Sequence, residues 1–144
     1  AVSLTDNFAN TAKIIEVSFP STLTSTSDMS FRGNLLTEVD VNNITNIRLG
    51  SFYDNAYLDT LNLRSVQTIG SDAFTLTGSL SSGYDLVFPS TLTSIGSSAF
   101  WAAKIGYYGG MIVLPIYMVG FLPWLVGFLT STVSGVPAKL SANS

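Results

Sequence analysis

The apolar positions of this chain fall into a pattern that recurs about every 23 residues. Each unit opens with a run whose apolar residues stand at i, i+3 and i+5. These are Ile14, Val17 and Phe19; Leu36, Val39 and Val41; Leu58, Leu61 and Leu63; and, in a fourth unit, Leu86 and Phe88. A second run follows three or four residues later, with apolar residues three apart: Ile44/Ile47, Val66/Ile69 and Leu92/Ile95. In the first unit this pair is the degenerate Leu23/Thr26. Five residues beyond each pair stands a Phe: Phe31, Phe52, Phe74 and Phe100, spaced by 21, 22 and 26. The heptapeptide Phe19-Pro20-Ser21-Thr22-Leu23-Thr24-Ser25 returns unchanged at Phe88–Ser94, an offset of 69 or three units of 23.

This periodicity predicts a repeat architecture. The end of each first run alternates like a short strand. One unit alone cannot shield its Leu, Ile, Val and Phe from water, so successive units must stack and share a core. The expected fold is mainly β: a short solenoid of four to five units over residues 12–104, preceded by a lead-in at 1–11. Phe31, Phe52, Phe74 and Phe100 are expected to line one interior row. Ser, Thr, Asn and Asp fill the turns, where their side chains can bond nearby backbone. Gly70 and Gly96, each just after a second-run Ile, are expected to permit a tight bend. The longer last spacing falls at 75–83, a Gly/Ser/Thr-rich stretch that reads as a loop bulging from one face.

Several of these positions recur together at fixed spacing. Val66-Gln67-Thr68-Ile69-Gly70-Ser71-Asp72-Ala73-Phe74 and Leu92-Thr93-Ser94-Ile95-Gly96-Ser97-Ser98-Ala99-Phe100 resemble the repeat of the BspA-type (treponemal-type) leucine-rich-repeat family, as does the Phe-Pro-Ser-Thr-Leu-Thr-Ser lead-in. The resemblance covers residues 12–104. It implies a curved stack of short strands in an exported or surface-exposed protein, with adhesion and protein binding as usual roles. The family often has a Cys a few residues after the Phe. This chain has none, and Ala56 stands near that place in the second unit.

A fifth unit begins with Ile112, Leu114 and Pro115, and Met118, Phe121 and Val126 fall where later ladder residues would stand. Yet no charged residue occurs from Ile105 to Ala138, so this unit lacks a polar face. Three readings compete for residues 105–144. A membrane-spanning helix over 111–129 would have 19 residues, about 28 Å, close to the thickness of bilayer hydrocarbon. Pro115, Pro123, Gly120 and Gly127 weaken that helix. The second reading is a protein-docking segment that covers the end of the stack; the third is a degenerate cap. Tyr107, Tyr108, Tyr117, Phe121, Trp124 and Phe128 are the expected assembly or membrane contacts.

Composition narrows the function. Hydrophobic residues make up 47% of the 144 positions and charged residues only 10%, against a usual charged share of about 25%. The net charge is −3 and the six basic residues are scattered, so no basic stripe exists for a nucleic acid. With no Cys and no His, thiol and imidazole chemistry and Cys/His zinc sites are excluded. Glu38 and Asp40 stand two apart on an expected strand and share a face, yet no calcium-loop pattern accompanies them. Arg32, Arg48 and Arg64 recur every 16 residues, out of step with the repeat, and are expected to pair with nearby acids. No cofactor or metal is expected. Asn43-Ile44-Thr45 is a sequon, which makes Asn43 a candidate for glycosylation. The start at Ala1 fits removal of a leader.

The function expected is therefore non-enzymatic: an extracellular or cell-surface repeat module. It docks with other protein subunits, copies of itself included, through the apolar C-terminus, with a filament as one outcome. The alternative is a membrane-anchored adhesion module that contacts the bilayer through 105–138.

Overall fold

The computed structural model describes residues 8–105 and two further strands at Met111–Pro115 and Lys139–Asn143. These residues contain eight short strands and no helix: β1 (Glu38–Asp40), β2 (Asn46–Ile47), β3 (Thr60–Asn62), β4 (Thr68–Ile69), β5 (Leu86–Val87), β6 (Ser94–Ile95), β7 (Met111–Pro115) and β8 (Lys139–Asn143). Every pairing is parallel, in three sheets ordered β1-β3, β2-β4-β6 and β5-β7-β8. Partners are equivalent residues of successive units: Glu38 faces Thr60, Asn46 faces Thr68, Thr68 faces Ser94 and Leu86 faces Ile112. First runs thus pair with first runs and second runs with second runs.

Between the runs lies one continuous apolar core. Val39, Val41, Ile44, Ile47, Leu58, Leu63, Val66, Ile69, Leu86 and Leu92 are all buried. Phe31, Phe52, Phe74 and Phe100 stack nearly face to face, with centroids 5.7, 5.3 and 5.1 Å apart and interplanar angles of 7°, 13° and 5°. Each ring therefore shields the next, and Phe19 and Phe88 close on the row edge-on. Phe8, inside the expected lead-in, adds a fifth ring 5.7 Å from Phe31. Its N–H donates to Ser30 O, just as Phe31, Phe52 and Phe74 donate to Ser51, Ala73 and Ala99 of the next unit. The Phe row thus continues before the first unit legible from the apolar spacing.

Backbone geometry repeats as faithfully as the rings. The residue two before each Phe (Met29, Gly50, Asp72, Ser98) and two after (Asn10, Gly33, Asp54, Leu76, Ala102) is left-handed, with φ between 55° and 68°. Where the two runs join, an i to i+3 hydrogen bond closes a turn in all four units. Units one and four take a longer link with Pro20 or Pro89. Units two and three drop one residue and place Asn42 and Arg64 in the left-handed region instead, at φ 51° and 47°. The shorter connection needs the sharper backbone reversal.

Buried polar groups are matched to this backbone. Asn55 donates to Phe31 O and Phe52 O and accepts from Leu36 N–H, at 3.0, 2.9 and 3.2 Å. Asn34 bonds Phe31 O and Ile14 N–H in the same way. The degenerate Thr26 is buried and bonds Ser51 Oγ and Arg48 N–H. The buried place after each Phe is three residues on, held by Asn34, Asn55, Thr77 and Ala103; half-buried Ala56 is one residue beyond it.

The structure refines three expectations. Neither Gly70 nor Gly96 has a positive φ. A Cβ at Gly70 would stand 2.7 Å from the Arg48 and Leu49 backbone, and one at Gly96 would stand 2.7 Å from Gly70 C. They are glycines because adjacent turns touch there, as their N–H bonds to Ile47 O and Ile69 O (2.7 Å each) require. The 75–83 loop does not simply bulge: Thr75, Thr77 and Gly78 are buried, while Ser79 and Leu80 reach solvent. At the start of the span that the membrane reading would make a helix, Met111–Pro115 is a strand paired to β5 and β8. Its parallel ladder satisfies backbone groups that a helix would satisfy internally. The remainder of that span lies outside the described residues, and among those described no helix is long and apolar enough to cross a membrane.

Candidate interaction surfaces

The exposed residues of the first runs build one side of the molecule. Glu38 and Asp40 flank buried Val39 on β1, so strand alternation turns both outward. On β3 the corresponding places are Thr60 and Asn62, and before and on β5 they are Asp85 and Val87. Arg64 reaches back to Asp40, with Nε–Oδ1 and Nη2–Oδ2 distances of 2.9 and 2.6 Å. That hydrogen-bonded guanidinium holds the Asp40 carboxyl below the usual carboxylate range. Arg48 makes the same kind of pair with Asp28, and Arg32 lies over the Tyr53 ring at 4.6 Å. The three arginines therefore serve three separate contacts, two of them with acids.

Among the described residues the first runs pair as strands only between β1 and β3 and between β5 and β7; residues 14–19 form no strand against β1. β3 pairs only with β1, and β5 pairs only with β7 and not with β3. Between them lies a groove of about 530 Å³ lined by Asp59, Thr60, Leu61, Asn62, Leu63, Arg64, Asp85, Val87 and Pro89. The cause is local. From Phe52 to Leu61 is 9 residues, but from Phe74 to Leu86 is 12. The extra residues stay at the surface but are tied to the unit before, where Ser81 Oγ bonds Leu58 O as well as Gly78 O, and Leu80 N–H bonds Ala56 O. Tyr84 then anchors the start of β5, its buried hydroxyl 2.7 Å from Thr77 Oγ. Second runs remain paired across this step through β4 and β6. Strand pairing is thus lost on the first-run side while the second-run side keeps it. The spacing of the Phe row carried that signal, but it does not say which side loses its pairing.

Asn43 is exposed, and its Nδ2 donates to Ser21 O at 2.8 Å. Glycosylation would have to release that hydrogen bond. Tyr107, Tyr108, Tyr117, Phe121, Trp124 and Phe128 lie outside the described residues. Trp101 is 49% exposed at the end of the Phe row. Among the described residues no group of three or more carboxylates could hold a metal ion. The phenol of Tyr84 is pushed well above its ordinary value by burial.

No curated protein and no solved structure matches the chain. A family model described as "BspA type Leucine rich repeat region" matches residues 5–105 in six copies. Repeats of this kind are generally non-enzymatic protein-interaction modules and are typically surface-associated. With its parallel turns, its Phe row and this match over most of its length, the chain belongs to the BspA-type leucine-rich-repeat family.

Proposed function

We propose that this protein is a non-enzymatic solenoid at the cell surface or outside the cell, which joins a larger assembly through its C-terminal segment. The observation that supports this reading most is the absence of any charge between Ile105 and Ala138, in a chain whose repeats otherwise alternate apolar and polar faces. So large an apolar surface is not expected to stay in water on a monomer. The pairing of β7 and β8 onto β5 supports the reading further. It carries the sheet into this segment, and β8 presents a strand edge that no described residue covers. An edge of that kind pairs with another chain unless it is blocked. Copies joined end to end in the same sense need not close into a ring, so a filament is the expected limiting form. Light scattering and negative-stain imaging of the purified chain test this. Assemblies that disperse when 105–144 is removed are expected. A monodisperse monomer at high concentration without detergent would overturn it.

A further inference from the structure

The groove between β3 and β5 is lined by polar side chains that are held at one end and unused at the other. Asn62 Oδ1 accepts from Arg64 N–H at 3.2 Å, which leaves the amide hydrogens of Asn62 without a partner among the described residues. Arg64 commits Nε and Nη2 to Asp40, which leaves the rest of its guanidinium fork available. Asp59 Oδ1 accepts from Thr60 Oγ1 at 3.0 Å, and the second carboxylate oxygen has no partner among the described residues. Beside these groups stand aliphatic ones. Val87 on β5 is 44% exposed, Pro89 just beyond it is half-buried, and Leu61 lies on the β3 side. The groove volume of about 530 Å³ falls within the range of small-molecule sites.

We propose that this groove binds a short neutral carbohydrate. Charge narrows the class first. Asp40 and Arg64 neutralise each other, so the groove offers an anion no unpaired cation. Asp59 is exposed, and a carboxylate in water adds little to the binding of a cation through charge alone. What remains is hydrogen bonding by planar amide, guanidinium and carboxylate groups beside an aliphatic strip. A sugar ring has the matching form. Its rim carries adjacent hydroxyls, each both donor and acceptor, and its faces carry C–H groups. The hydroxyls would reach Asn62, Arg64 and Asp59, while a C–H face covers Val87 and Pro89 and removes their apolar surface from water. The protein's own hydrogen bonds already hold the three polar side chains, so binding has less to order. This site is separate from the C-terminal segment, so failure of either proposal leaves the other standing.

The test uses the full chain and NMR titration with neutral trisaccharides built from glucose, mannose, galactose or N-acetylglucosamine. A sialylated trisaccharide and a Ser/Thr/Ala peptide of similar size serve as controls. At least one neutral trisaccharide is expected to bind saturably at millimolar concentration and to shift the Asn62 side-chain amide and Val87 methyl signals. Asn62→Asp keeps the acceptor for Arg64 N–H and removes the amide donors. It should weaken binding roughly fivefold while the circular dichroism stays that of the wild type. Val87→Ser removes the aliphatic contact and should weaken binding as well. No saturable binding by any of the neutral sugars overturns the proposal. Binding that both variants leave unchanged overturns it too, as do shifts confined to residues outside the groove, which would place the sugar elsewhere. Equal binding of the sialylated sugar or of the peptide would also overturn it, since the groove would then not select a neutral saccharide.

Discussion

Asn55 serves three backbone groups at once, two in its own unit and one in the unit before. Replacing it with Ala leaves Leu36 N–H, Phe31 O and Phe52 O buried without their side-chain partner. Asn55→Ala should therefore destabilise the fold by about 3 kcal/mol, read from urea unfolding. Ala103 fills the same place in the last complete unit, so the requirement belongs to the neighbours and not to the position. Ser98 makes the opposite case. It is exposed and left-handed at φ 55°, where Gly50 stands in an earlier unit. Ser98→Gly should stabilise by roughly 0.5–1 kcal/mol, because a Cβ is strained there by somewhat more than the extra freedom glycine gains on unfolding. A thermal unfolding midpoint that fails to rise would count against that strain.

At the scale of elements, the decisive feature is the three-residue excess before β5. The sequence shows it as a long Phe spacing, and its Gly, Ser and Thr content suggests an exposed loop. The structure instead buries Thr77 and Gly78 and hangs β5 from Tyr84. Composition could not reveal this, because whether a hydroxyl faces water or a neighbour depends on what packs beside it. Tyr84→Phe should cost about 1 kcal/mol at neutral pH through the lost hydrogen bond. It should also change the pH profile. Burial raises the folded phenol above the unfolded value of about 10. The unfolded chain then releases this proton first, so stability is full below about pH 10 and falls as pH rises further. Unfolding measured from pH 7 to 11 should show a shallower alkaline decline in Tyr84→Phe than in the wild type. The Asp40–Arg64 pair acts at the other end of the scale. Its contribution is present above the ordinary carboxylate range and lost as pH falls through the lowered Asp40 value, and its exposure keeps it small.

For the molecule as a whole, stability should follow position along the stack, since each unit touches only its neighbours. Phe52 is fully buried with a ring on either side, whereas Phe8 is 36% exposed and has one stacked neighbour among the described residues. Phe52→Ala should cost about 3–5 kcal/mol. Phe8→Ala should cost about 1–2 kcal/mol, because less apolar area returns to water. Equal losses in denaturant melts would mean that the terminal unit is as tightly held as the interior.

From the sequence alone one could read the repeat, the positions that face inward and the function classes closed to a chain without Cys or His. Burial of apolar side chains has a period, and a period is visible in a single strand of letters. Phe8 was within reach of the same rule, since it precedes Phe31 by 23 residues. What required three dimensions was everything decided between units. Gly70 and Gly96 are explained by the backbone of the preceding turn, Asn55 by carbonyls in two turns, and the β3–β5 groove by a step where one side loses strand pairing while the other keeps it. Such contacts join residues more than twenty positions apart, and their geometry depends on how far each turn is displaced from the last. Spacing along the chain counts residues; it does not measure that displacement.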